Sequence, residues 1–170
     1  MALGTRNRQA APIGAVPPPI TVRRLRPGDD AVLTYLAQRN DDFGAVDERP
    51  ALEPLGQSET VAFLADDRTA TFVAFAGDEP VGFCYANELY RRHSALRHLC
   101  IYELGVSERF RGQGIGAALL EAVGDHARSQ GITRGFSMAP AADRPAADLY
   151  EGAGATANPD EVVYAFRWDI

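Results

Sequence analysis

The chain has 170 residues, a hydrophobic fraction of 46% and a net charge of −6, enough for about one domain with a sizeable apolar core. All 17 basic residues are arginine, so a phosphate-loop lysine, a Schiff-base lysine and a Ser-Lys dyad are excluded. Five arginines and no acid fall within residues 1–28, leaving the remainder at −11, a body that repels nucleic acid and attracts polycations.

Residues 1–19 hold few large apolar side chains and end in three prolines, which predicts a disordered tail ahead of a single domain over 20–170. Ile20 to Arg26 alternates apolar and polar residues as a first strand, and Pro27-Gly28-Asp29 turns the chain into a helix reaching about Asn40. Asp29 or Asp30 can cap it. From Asp41 to Glu53 the chain is acid-rich, with Asp41, Asp42, Asp47, Glu48 and Glu53 against Arg49. This segment reads either as a solvated loop or as a flap that meets a cationic substrate through Asp42, Asp47 and Glu48. Ser58 to Asp66 reads as a short helix. Thr71 to Ala76 and Val81 to Tyr90 form a hairpin about Gly77-Asp78-Glu79-Pro80.

Leu99 to Val106 is the next strand and the most strand-like run of the chain. It carries Glu103, and a carboxylate in a central strand costs several kcal/mol unless partnered. An outward-facing residue, a structural ion pair and a site carboxylate all remain open for it. Cys84 and Cys100 fall in strand runs and read as small core residues, able to pair only if the strands place them suitably. Of the three histidines, His93 and His98 show no metal-ligand spacing, and His126 continues the apolar face of the following helix.

After a charged turn, Ser107 to Phe110, come Gly112, Gly114 and Gly116 at alternate positions. Glycines there let the backbone turn tightly and approach a ligand. Ile115, Ala118, Leu119, Ala122, Val123 and His126 then recur at helical spacing up to Gly131. The first turn of that helix has unpaired N–H groups and the positive end of the macrodipole, and an anion, most naturally a pyrophosphate, is stabilised there. The run also satisfies the G-x-G-x-x-A dinucleotide fingerprint, but no acid ends the next strand and too little chain follows for a doubly wound sheet. That strand is Thr133 to Ala139. Asp143 to Gly152 reads as a helix and Val162 to Trp168 as a last strand, itself a candidate edge for pairing two copies into a homodimer. The sum is an α/β fold with mixed strand directions. No apolar run approaches the roughly 20 residues that cross a bilayer, and no secretory signal is visible, so a cytoplasmic protein without membrane or nucleic-acid partners is expected.

Arg111-Gly112-Gln113-Gly114-Ile115-Gly116 matches the Q/R-x-x-G-x-G/A signature of the GCN5-related N-acetyltransferases (GNAT), with Val106 and Arg109 ahead of it and the same element order. The resemblance implies the GNAT fold, a mixed, mostly antiparallel central sheet flanked by helices. It implies that Leu104, Gly105 and Val106 hold the acetyl-pantetheine arm of acetyl-CoA. It further implies that Arg111, Gly112, Gln113, Gly114, Ile115, Gly116 and Ala117 hold the pyrophosphate, with no metal.

Ile101-Tyr102-Glu103-Leu104-Gly105-Val106-Ser107, Asp42-Phe43-Gly44 and Asp148-Leu149-Tyr150-Glu151-Gly152-Ala153-Gly154 further resemble runs of the type I aminoglycoside 3-N-acetyltransferases. The departures are Glu103 in place of an aspartate and Gly152 to Gly154, expected to loosen the end of the last helix. A protonated amine must lose a proton before it attacks a thioester, and Glu103 is the candidate base. Tyr150 is by resemblance the candidate acid, with a packing role as its alternative. The acidic body suits an aminoglycoside or a polyamine almost equally. A GNAT acting on other small or protein amines, and a non-catalytic acyl-CoA-binding module, are the competing readings.

Overall fold

The computed structural model describes residues 18–44, 51–93 and 95–164. Its elements are β1 (Ile20–Arg24), α1 (Asp30–Gln38), α2 (Asn40–Phe43), α3 (Gln57–Ala65), β2 (Thr69–Ala76), β3 (Glu79–Tyr90), β4 (Arg97–Val106), a 3-10 turn (Glu108–Phe110), α4 (Ile115–Ser129), β5 (Arg134–Ser137) and α5 (Arg144–Gly152). The five strands form one sheet in sequence order. β1 to β4 are antiparallel neighbours and β4 pairs β5 in parallel. This is the mixed, mostly antiparallel sheet expected of the fold.

Alternation along β2 and β3 sends side chains to two cores. Ala70, Phe72, Ala74, Cys84 and Ala86 face α4, where Ile115, Leu119 and Val123 fill the space. Leu25, Val73, Phe75 and Phe83 form the opposite core with Leu36 of α1 and Phe43 of α2, and Leu64 of α3 packs against it. The parallel β4–β5 pair requires a crossover, and α4 supplies it. Its buried residues are those of the predicted apolar face, Ile115, Leu119 and Val123, with Leu120 added.

Three expectations need correction. Asp29 stands at the start of α1, but its carboxylate binds Arg23 (2.7 Å) and the Arg26 amide (2.8 Å) and caps no helical amide. β5 spans only Arg134–Ser137, the four residues that pair with β4 before the two strands part. Val162 to Tyr164 are exposed and outside any strand; the rest of the expected last strand, and the tail over residues 1–17, lie outside the described residues. Cys84 and Cys100 are free and buried. Among the described residues no helix is long and apolar enough to cross a membrane.

Candidate active site

The parallel pairing of β4 with β5 runs from His98↔Arg134 to Ile101↔Ser137 and stops. β4 continues to Val106 with β3 on one side and, among the described residues, no strand on the other. Within this stretch the β3–β4 register jumps from Ala86↔Ile101 to Tyr85↔Glu103, so Tyr102 is the extra residue of a β-bulge. The bulge puts Ile101 and Leu104, three positions apart, into the same core beside α4. Glu103 and Gly105 then share the opposite face with Tyr85 and Phe83. Glu103 is therefore partly buried, at the end of the strand rather than in its sealed middle. The Ser107 amide donates to the Val81 carbonyl on the β3 side (2.9 Å). Alternation turns the amides of Leu104 and Val106 to the open edge.

The chain crosses from β4 to α4 at the same end of the sheet. Gly112 (φ 72°) and Gly114 (φ 80°) are left-handed, a conformation that side-chain-bearing residues rarely adopt. The first α-helical bond runs from the Ala118 amide to the Gly114 carbonyl (3.0 Å), so the amides of Ile115, Gly116 and Ala117 precede the ladder. No acid occupies that first turn, and the helix dipole is left for an anion. Gly116 serves another purpose: a Cβ there would come within 3.0 Å of Leu149, so it admits α5 against α4. Arg111 and Gln113, expected to bind phosphate, are turned into the loop itself. Arg111 Nε donates to the Val106 carbonyl (3.1 Å) and Gln113 to that of Arg109 (3.2 Å), while Arg109 pairs with Glu79. In this arrangement the two side chains brace the loop that leads into α4.

Asp42-Phe43-Gly44 fastens the start of the acid-rich segment onto β4. Phe43 is 2% exposed and meets Phe83 edge-on at 5.7 Å. A Cβ on Gly105 would lie 2.8 Å from the Phe43 carbonyl, so only glycine at 105 lets α2 this close. The Asp42 carboxylate accepts from the buried Ser107 hydroxyl (3.2 Å) and lies 3.2 Å from Arg39. Gly44 is left-handed with the Arg111 guanidinium across it. Asp42, expected to face substrate, thus shares its charge with Ser107 and Arg39; Asp47 and Glu48 lie outside the described residues.

α5 begins with the Asp143 carboxylate accepting from the Ala146 amide (3.0 Å). Its end is closed, contrary to the loosening expected of its glycines. Ala155 donates to the Tyr150 carbonyl (3.0 Å), Gly154 to that of Glu151 (2.9 Å), and Gly154 is left-handed, which is a Schellman motif. Tyr150 in that last turn is partly buried, and burial raises its phenol above the ordinary value while the Ser137 side chain pulls the other way. Ser137 is the last residue of β5, where the two parallel strands part. Glu103 thus lies near the end of β4, and Tyr150 beside the last residue of β5. Burial pushes the Cys84 thiol up to about 12, which leaves it an inert core residue.

Ser107 and Ser137 carry site geometry that the sequence reading missed. The signal for Ser107 was its place directly after the strand carrying Glu103; a lone serine at the end of a four-residue strand gave none for Ser137. No group of His, Cys, Asp and Glu side chains able to hold a metal occurs among the described residues.

A strand end parted from its parallel neighbour, beside a helix N-terminus whose first amides lie outside the ladder, is an α/β arrangement able to accept an anionic ligand. The chain belongs to the acetyltransferase (GNAT) family, which it matches over residues 34–155. It is 34% identical over 95 residues to N-acetyltransferase 8B of Rattus norvegicus, covering 56% of this chain and 43% of that protein. It is 29% identical to N-acetyltransferase 8 of the same organism, over 64% of this chain and 49% of that protein. The chain thus spans less than half the length of these curated relatives.

Among solved structures, an aminoglycoside acetyltransferase from an uncultured soil metagenomic sample, in complex with sisomicin, has a TM-score of 0.79 at 22% identity. The match covers 88% of this chain and 97% of that one. Ribosomal-protein-alanine N-acetyltransferase from Brucella melitensis biovar Abortus 2308 has a TM-score of 0.67 at 21% identity, covering 89% and 100%. At these identities the likeness is one of fold.

Proposed function

We propose that the protein transfers the acetyl group of acetyl-CoA to an amine of a polycationic small molecule, an aminoglycoside acetylated at its 3-amino group, directly and without a covalent enzyme intermediate. The observation that carries this reading is the end of β4, which bears Glu103 beyond the last pairing with β5 and leads through the glycine loop into the N-terminus of α4. The cradle fits acetyl-CoA: the amides of Gly112 to Ala117 meet the pyrophosphate, with Arg111 and Gln113 holding the loop in shape. The outward amides of Leu104 and Val106, with Gly105 between them, line the pantetheine arm. Acetyl-CoA supplies the activated thioester; the remaining chemistry belongs to the chain.

Glu103 takes the proton from the substrate ammonium, directly or through one water, and frees the nitrogen lone pair that forms the new C–N bond. The Leu104 amide donates to the oxygen that gains charge at the acetyl carbon. Tyr150 gives its proton to the sulfur as the C–S bond breaks, and the second proton, released from the acylated nitrogen, passes through water to restore Tyr150. Asp42, with Asp47 and Glu48 beyond it, supplies negative charge on the acceptor side, in keeping with the −11 body that follows residue 28.

The aminoglycoside acetyltransferase among the structural neighbours supports this acceptor, as does the likeness of Ile101 to Ser107 to the aminoglycoside 3-N-acetyltransferases. Thiol release from acetyl-CoA, followed over a panel of gentamicin-type and kanamycin-type aminoglycosides, spermidine and a peptide with a free α-amine, tests it. The expected result is turnover with aminoglycosides and a product acetylated at the 3-amino group. Turnover confined to spermidine or the peptide would discard the acceptor assignment, and no turnover with CoA still bound would make the protein a binding module.

A further inference from the structure

At the far end of α4, His126 lies three turns beyond Ile115, on the order of 16 Å along the helix axis. There the sheet and helix enclose a second cavity of about 460 Å³, lined chiefly by Arg24, Arg26, Arg68, Glu88, Arg97 and His126. Small-molecule sites occupy roughly 300–1,000 Å³. The transfer chemistry proposed above uses none of these residues.

Their charges are unevenly matched. Glu88 has a side chain 3% exposed and is bound by Arg97 at 2.5 Å, and Arg97 also donates to the Gln130 carbonyl (2.7 Å). Arg68 is paired with Asp66 (2.8 Å). Arg24 donates to the backbone carbonyls of Asp67 and Thr69. Neither Arg24 nor Arg26 makes ion-pair contact with a carboxylate among the described residues. The buried His126 side chain, 8% exposed, brings Nε2 within 3.3 Å of Glu88 Oε1. The pair is out of alignment, and Nε2 has no hydrogen-bond partner among the described residues. Two guanidinium groups without a direct ion pair and a buried imidazole whose Nε2 has only a poorly aligned contact with Glu88 thus face one space, inside a chain of net negative charge. Burial and Arg26 hold Arg24 below its ordinary basicity, against the attraction of Asp67 and Glu88.

We propose that this basin is an anion site separate from the cofactor loop, and that its ligand is a small molecule carrying a dianionic phosphate group. Guanidinium pairs bind phosphate oxygens through paired N–H donors, and His126 Nε2 completes the set from the helix side. Four arginines line the basin against Asp67 and Glu88, and with Arg68 held by Asp66 the local excess stays positive, as a phosphate requires. The volume leaves room for a metabolite-sized body beyond the phosphate. The site stands whether or not the chain transfers acetyl groups.

Calorimetric titration with inorganic phosphate in low-salt chloride buffer at pH 7.5 tests it on three full-length proteins: wild type, Arg26→Ala and Gly114→Val. Arg26 is exposed, so its replacement leaves the core intact. Expected are saturable one-to-one binding by the wild type, the same affinity in Gly114→Val, and at least fivefold weaker binding in Arg26→Ala. Absence of saturable binding by the wild type overturns the proposal. So does affinity lost in Gly114→Val, which would put the phosphate at the α4 N-terminus, or affinity unchanged in Arg26→Ala.

Discussion

Burial holds the Tyr150 phenol above its ordinary value against the pull of Ser137, and in the proposed mechanism this neutral phenol gives its proton to the departing thiolate. Removing only the hydroxyl tests the role without opening a cavity. Tyr150→Phe should lower kcat for acetyl transfer by about 10²-fold while CoA affinity, read by calorimetry, stays within twofold. An unchanged kcat would return Tyr150 to a packing role. Glu103 differs from Tyr150 in how much of its setting the sequence disclosed. Its place in an apolar run was plain, but the bulge at Tyr102 was not, because a bulge is a property of two strands in register and neither strand announces it alone. The bulge decides that Glu103 shares a face with Gly105 and lies where β5 has ended.

α5 shows how an element's end can position one side chain. Asp143 fixes the first turn, and the left-handed Gly154 closes the last turn by directing the Ala155 amide onto the Tyr150 carbonyl. Gly152, by contrast, is helical, and a Cβ there meets nothing within 4 Å. Gly152→Ala should therefore stabilise the protein by about 0.5–1 kcal/mol without changing kcat; a lower denaturation midpoint would show that Gly152 is needed for its conformation.

The helices and the hairpin were legible because their periodicity and turn residues are local. Ser58 to Asp66, for example, becomes Gln57–Ala65. The glycine loop was legible in position and only partly in reason: two glycines turn the chain, and the third makes room for Leu149. The short β5 was overextended because Thr133 to Ala139 has strand-like residues but β4 gives it only four partners. Asp42-Phe43-Gly44 was visible as a motif; its fastening to Ser107 spans 65 residues of sequence and has no local signature.

At the scale of the whole molecule, α4 joins the two regions for which roles are proposed. Its N-terminus lies beside the parted strands and its last turns carry His126 into the far basin. Burial and Arg24 hold the His126 imidazole below its ordinary value, against the attraction of Glu88; Arg26 and Arg97 also face the same space. A histidine depressed in the folded state contributes stability above the unfolded value of 6.5 and loses it as pH falls, because the unfolded chain takes up the proton first. The denaturation midpoint of the wild type should therefore drop between pH 7.5 and 5.5, by at most about 1.4 kcal/mol per pH unit for this one group. His126→Gln should flatten that dependence. An equal slope in both proteins would assign the pH sensitivity to other groups.

The acidic body, the open strand end and the helix N-terminus support the proposed acetyl transfer to a cationic amine, and in that proposal the step that separates an enzyme from a binding module is proton removal by Glu103. The measurement that tests it most directly is the rate of thiol release from acetyl-CoA by Glu103→Gln with a saturating aminoglycoside. A loss of at least 10²-fold in kcat, with CoA still bound at wild-type affinity, is predicted. Turnover equal to that of the wild type would remove Glu103 from the mechanism and contradict the account.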